Sequence, residues 1–113
     1  MTKYDYLKQS LEETGQGKMK CFGNSMLPKL PNPSICHYIV QKEYEIGDIV
    51  FCKVKGRWID AHIVTKKDKN RYMISNNKGW DNGWTKTIYG KVVAAFDKDE
   101  KLIYGLLPAT DVE

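Results

Sequence analysis

No apolar run in the chain approaches the roughly 18 residues that a membrane-spanning helix needs, and the opening segment MTKYDYLKQSLEE holds no apolar leader. The three cysteines, Cys21, Cys36 and Cys52, make neither a C-x-x-C pair nor a Cys/His set with metal-ligand spacing, so no metal or other cofactor is expected. They read as reduced, partly buried thiols of a cytoplasmic protein. Clustered charge is also missing. The 18 Lys and Arg are interleaved with 14 Asp and Glu, and the longest run of cations is two. A nucleic-acid footprint is therefore not expected, although the net charge of +4 leaves a general attraction to acidic partners. Histidine is scarce as well, with only His37 and His62. At 113 residues there is room for one core and one domain, too little for a large two-layer enzyme.

What is present reads as one helix followed by strands. Thr2 with Asp5 three residues on suggests a capping box. Tyr4, Leu7 and Leu11 form a narrow apolar stripe, and Gly15 and Gly17 stop it. Residues 1–17 are thus expected to be a helix and lead-in to a β-rich domain over 18–113, docked loosely on that domain or on a partner. KMKCF, ICHYIVQ, IVFCKV, GRWIDAHIVTKK, RYMISN, TKTIYGKVVAAF and KLIYGLL read as strands separated by turns. LPKLPNPS, with three of the chain's prolines, reads as an irregular loop, and NNKGWDNGW as a glycine-rich turn. The expected fold is mostly β: a small twisted antiparallel sheet or partly open barrel with one short N-terminal α-helix.

One serine stands in a distinctive setting, GNSMLP at residues 23–28. A serine hydroxyl is a poor nucleophile until a neighbouring base takes its proton. The hydrolase elbow G-x-S-x-G is excluded, because Leu27 occupies its last position and no βα units follow. What is left is Ser25 on a turn leaving a strand, between flexible Gly23 and rigid Pro28. A base is available in His62. Strand alternation would put Asp60, His62 and Val64 on a polar face, with Ile59, Ala61 and Ile63 facing the core.

In order along the chain, G-N-S-M-L-P, Y-E-I-G-D-I-V, a histidine leading I-V, and I-Y-G-K-V-V resemble the signal-peptidase and LexA-repressor clan of serine proteases. The likeness covers roughly residues 18 to 96. It implies the catalytic-domain fold of that clan and a serine endopeptidase activity without membrane anchor. Ser25 falls at the nucleophile. His62 falls where many bacterial members carry lysine and where archaeal and endoplasmic-reticulum signal peptidases carry histidine. A histidine is poised near neutral pH without the dry pocket that a lysine base needs. Gly23, Asn24, Met26 and Pro28 would line the substrate and oxyanion side, with the Ser25 amide binding the oxyanion. The implied substrate is a protein or peptide bound as an added β-strand, at the edge near Lys18 to Phe22 or at the loop after Pro28. The lack of an anchor or a DNA-binding segment suits a free-standing processing protease of a phage or mobile element.

The chain departs from the clan's pattern at three places. Ile63 stands where arginine usually follows the base. Gly23 stands where some signal peptidases place an oxyanion-stabilising serine. No aspartate occupies the nearest equivalent of the G-D-N-N turn, which leaves Asn76, Asn77 or Asp81 to orient the imidazole. These departures suit a second reading, a non-catalytic binding or regulatory module that keeps the protease fold. A third reading takes Trp58, Trp80, Trp84, Tyr72 and Tyr89 as a stacking platform in a small nucleic-acid-binding β domain. His37 and Asp48 read as structural residues, Asp48 bonding the backbone of its own turn.

Overall fold

The computed structural model describes residues 1–22, 30 and 33–105. Ser25, and with it Gly23, Asn24, Met26 and Pro28, lies outside the described residues.

Helix α1, Lys3–Thr14, begins as its sequence predicts. The Thr2 hydroxyl accepts from the Asp5 N–H, and the Asp5 carboxylate accepts from the Thr2 N–H at 2.9 Å. Gly15 ends it in the left-handed conformation (φ 82°), its N–H bonding the Leu11 carbonyl at 2.9 Å. The helix is not loosely docked. Leu7 and Leu11 are buried in the same cluster as Phe51, Tyr38 and Val92, and Tyr4 stacks on Trp58, which stacks on Phe51. A narrow stripe suffices because the surface beneath it is scooped out: a Cβ on Gly90 would meet Leu11 at 3.2 Å and the Ile39 carbonyl at 3.0 Å.

Eight strands follow: β1 Gln16–Cys21, β2 Ser34–Ile39, β3 Ile49–Val54, β4 Arg57–Asp68, β5 Arg71–Ser75, β6 Asp81–Thr85, β7 Ile88–Phe96 and β8 Leu102–Gly105. They form one antiparallel sheet in the order β1-β2-β7-β3-β4-β5-β6, with β8 also paired to β7. The two-residue turn from β3 to β4 uses Lys55 and Gly56, both at positive φ, as the twist of a tight hairpin demands. No helix among the described residues is long and apolar enough to cross a membrane.

β6 falls inside the segment expected to be a glycine-rich turn. Asp81, Asn82 and Gly83 are poor strand formers, and tertiary contacts override them. Gly83 lies against Val54, where a Cβ would sit 3.0 Å from the valine methyl. The Thr85 hydroxyl donates to the Lys53 carbonyl at 2.6 Å, and the Lys53 N–H donates to the Thr87 carbonyl at 3.3 Å. These bonds draw the far edge back towards β3 and curl the sheet into an open half-barrel.

The curl gives β3 a core on each face. Ile49 and Phe51 join the cluster under α1; Val50, Cys52 and Val54 join a second one with Tyr44, Val64, Tyr72 and Ile74. This is why IVFCKV reads as a continuous apolar run rather than an alternation.

Candidate active site

His62 lies on β4 opposite Val50 of β3. Between the Val50–His62 and Cys52–Ile59 pairs, β4 carries one more residue than β3, a β-bulge. The bulge resets the alternation expected from the sequence. Ala61 and Ile63 face the first core as predicted, but Ile59 packs against the second, and Val64 is wholly buried there. The face expected to be polar is therefore largely covered, and His62 is half-buried rather than beside open solvent.

Its Nδ1 is buried and has no hydrogen-bond partner among the described residues. A buried ring nitrogen left unpaired is costly and uncommon. Burial of the imidazole holds its pKa below the ordinary 6.5, with the charge of Asp60 and the Ala61 backbone acting in the other direction. The ring is accordingly neutral at pH 7 and able to take a proton.

The three residues expected to orient this ring are engaged in their own turn and strands. The Asn76 Oδ1 accepts from the Lys78 N–H at 2.8 Å and the Trp80 N–H at 3.0 Å, shaping the turn between β5 and β6. Asn77 sits within that same turn. The Asp81 carboxylate accepts from Ser75 at 2.6 Å, and the Ser75 hydroxyl is also bonded to Thr65 at 2.8 Å. The acid whose charge acts on His62 is instead Asp60, two residues before it on β4. Its position in D-A-H was the available signal, and the bulge at that point is what sequence alternation cannot register.

Asp60 also ties the site to the strand leading to Ser25. Its carbonyl accepts the Tyr38 hydroxyl proton at 2.6 Å, which leaves the Tyr38 oxygen to accept from the Cys21 thiol at 3.3 Å. Cys21 ends β1, four residues before Ser25. The other side of that thiol faces Cys36, whose own sulfur is also within 3.9 Å of the Ser34 hydroxyl. All three cysteines are free and buried, and burial pushes the Cys52 thiol up to about 12.

The edge expected to receive a substrate strand is partly occupied. Ser10 and Thr14 of α1 donate to the Gln16 carbonyl at 2.8 and 2.9 Å, and the Lys3 ammonium donates to the Lys20 carbonyl at 2.7 Å. A helix laid along an edge strand protects it from pairing, so a strand cannot add along the full length of β1. The aromatic residues do not form one platform either. Trp58 and Tyr89 pack around Phe51, Tyr72 packs edge-on against Tyr44, and Trp84 lies under Arg71, while Trp80 alone is largely exposed. Asp48 is a turn residue as expected, accepting from the Glu45 N–H at 2.9 Å, and the His37 ring packs against Phe96 at 5.0 Å.

Comparison of the chain with family models, with curated proteins and with solved structures finds no match to any of them.

Proposed function

We propose that the protein is a serine endopeptidase in which Ser25 attacks the peptide carbonyl and His62 accepts its proton. The observation that carries this reading is the buried Nδ1 of His62, unpartnered among the described residues, on an imidazole whose pKa burial holds down. Such a group is a base lacking only a proton donor. Two hydrogen bonds through Tyr38 join Asp60 to Cys21, and Ser25 follows Cys21 by four residues of chain that extend to at most about 14 Å. In the reaction His62 would hold the Ser25 proton while the tetrahedral intermediate forms, then deliver it to the leaving amine. The resulting acyl-enzyme is hydrolysed by the reverse path.

The test is labelling by a fluorophosphonate probe between pH 6 and 9. The expected result is labelling of the wild-type chain that is lost in Ser25→Ala and in His62→Ala. A folded wild-type protein that takes no label across this range overturns the peptidase reading. It would favour the binding module, which the engagement of Asn76 and Asp81 away from His62 also suits.

A further inference from the structure

A cleft of about 780 Å³ runs where α1 meets the edge of β1 and opens over the sheet face carrying Ile39 and Val93. Its size is that of a ligand site, and apolar surface predominates with a few polar groups at its margin. Three of the residues around it are Lys3, Lys18 and Lys20, and no Asp or Glu lines it among the described residues. Lys18 and Lys20 are both exposed. The electrostatic imprint is that of an acidic ligand.

The backbone of β1 indicates what kind of ligand. The Gln16 and Lys20 carbonyls point outward, since α1 side chains reach them. Residue 18 shares their parity, so its N–H and C=O point outward as well, into the gap between the two. One residue of an extended chain can pair there, while the bonds on either side prevent a longer ladder. Aliphatic surface from Ile39 and Val93 suits side chains better than bases, and Tyr6 is the one exposed aromatic along the cleft among the described residues.

The cleft also has a defined relation to His62. Register pairs Gln16 with Ile39, Ile39 with Lys91, Lys91 with Val50, and Val50 with His62. Residues directly opposite one another share a face, so this row puts the floor of the cleft and His62 on the same side of the sheet. Four interstrand spacings separate its ends, about 19 Å, or about six residues of extended chain.

We infer that this cleft is an accessory docking site for an acidic, apolar-bearing peptide segment lying about six residues from the bond presented to His62. The inference deepens the peptidase reading and rests on it for the placing of that bond. Lys18 and Lys20 supply the charge selection, the Lys18 backbone supplies one main-chain pair, and Ile39 and Val93 supply the apolar floor.

The experiment separates docking from cleavage. A fluorescein-labelled extended peptide carries a Glu-Leu-Glu segment about six residues from an Ala-Ala pair, and a second peptide has Gln in place of both Glu. Binding is read by anisotropy on the Ser25→Ala protein, and cleavage on the wild type. The expected result is binding of the Glu peptide about tenfold tighter than the Gln peptide at low salt, with the preference shrinking as salt rises. The preference should be lost in Lys18→Glu/Lys20→Glu and kept in Lys66→Glu. Equal binding of the two peptides, or a preference that survives the double reversal, overturns the inference whether or not either peptide is cut. Tighter, Lys18/Lys20-dependent binding of single-stranded DNA overturns it in favour of a nucleic-acid ligand. Selective binding without any cleavage supports the docking site and counts against the peptidase alone.

Discussion

The Tyr38 hydroxyl donates to the Asp60 carbonyl at 2.6 Å, joining the second strand of the sheet to the bulge that precedes His62. The tyrosine is almost wholly enclosed, and burial holds its pKa well above the usual value, so it remains a donor across the accessible pH range. One side chain thereby links the residue that ends β1, through Cys21, to the segment that aims the imidazole.

Replacing Tyr38 by Phe leaves the Asp60 carbonyl without this donor while conserving the ring. The expected cost is about 1–3 kcal/mol, the penalty of an orphaned acceptor. At about 4 °C or more per kcal/mol for a domain of this size, calorimetry resolves it easily. Because the bond positions the bulge, probe labelling at Ser25 should also fall more than a stability change alone explains. An unchanged melting temperature would show that the carbonyl finds another partner.

His62 imposes a pH dependence of defined sign. Its pKa is lower in the folded protein than the 6.5 of the free side chain. Below pH 6.5 the unfolded chain takes up the proton more readily, so stability present above that value is lost as pH falls through the lower folded pKa. The melting temperature should therefore drop between pH 7 and 5 by more in the wild type than in His62→Gln. Labelling at Ser25 should pass its half-maximum below pH 6.5. A rise only above pH 8 would assign the base to a lysine instead.

Gly90 lies in a central strand under α1, with backbone on one side and Leu11 on the other. Gly90→Ala would press its Cβ to 3.0 Å from the Ile39 carbonyl and 3.2 Å from both Leu11 methyls. Strand separation and helix seating must then both give, at about 1–3 kcal/mol. Urea denaturation should show a lower midpoint with an unchanged slope. A variant as stable as wild type would mean that α1 can lift from the sheet without loss.

Much of this molecule follows from short-range chemistry. The Thr2–Asp5 box, the Gly15 stop, the Lys55–Gly56 hairpin and the apolar run of β3 rest on residues within a few positions of each other, so the sequence alone determines the helix, that strand's bounds and a mostly β fold. The surroundings of His62 are another matter. A single extra residue at the β4 bulge sends Ile59 to the opposite core, and the return of Asp81–Thr85 to Lys53 and Val54 creates that core. Burial of His62, release of Asn76 and Asp81 to other tasks, and the clamping of the β1 edge by Ser10, Thr14 and Lys3 all depend on partners far away along the chain. Local propensity carries no record of such contacts, because each joins residues far apart in the sequence that only the curl of the sheet brings together.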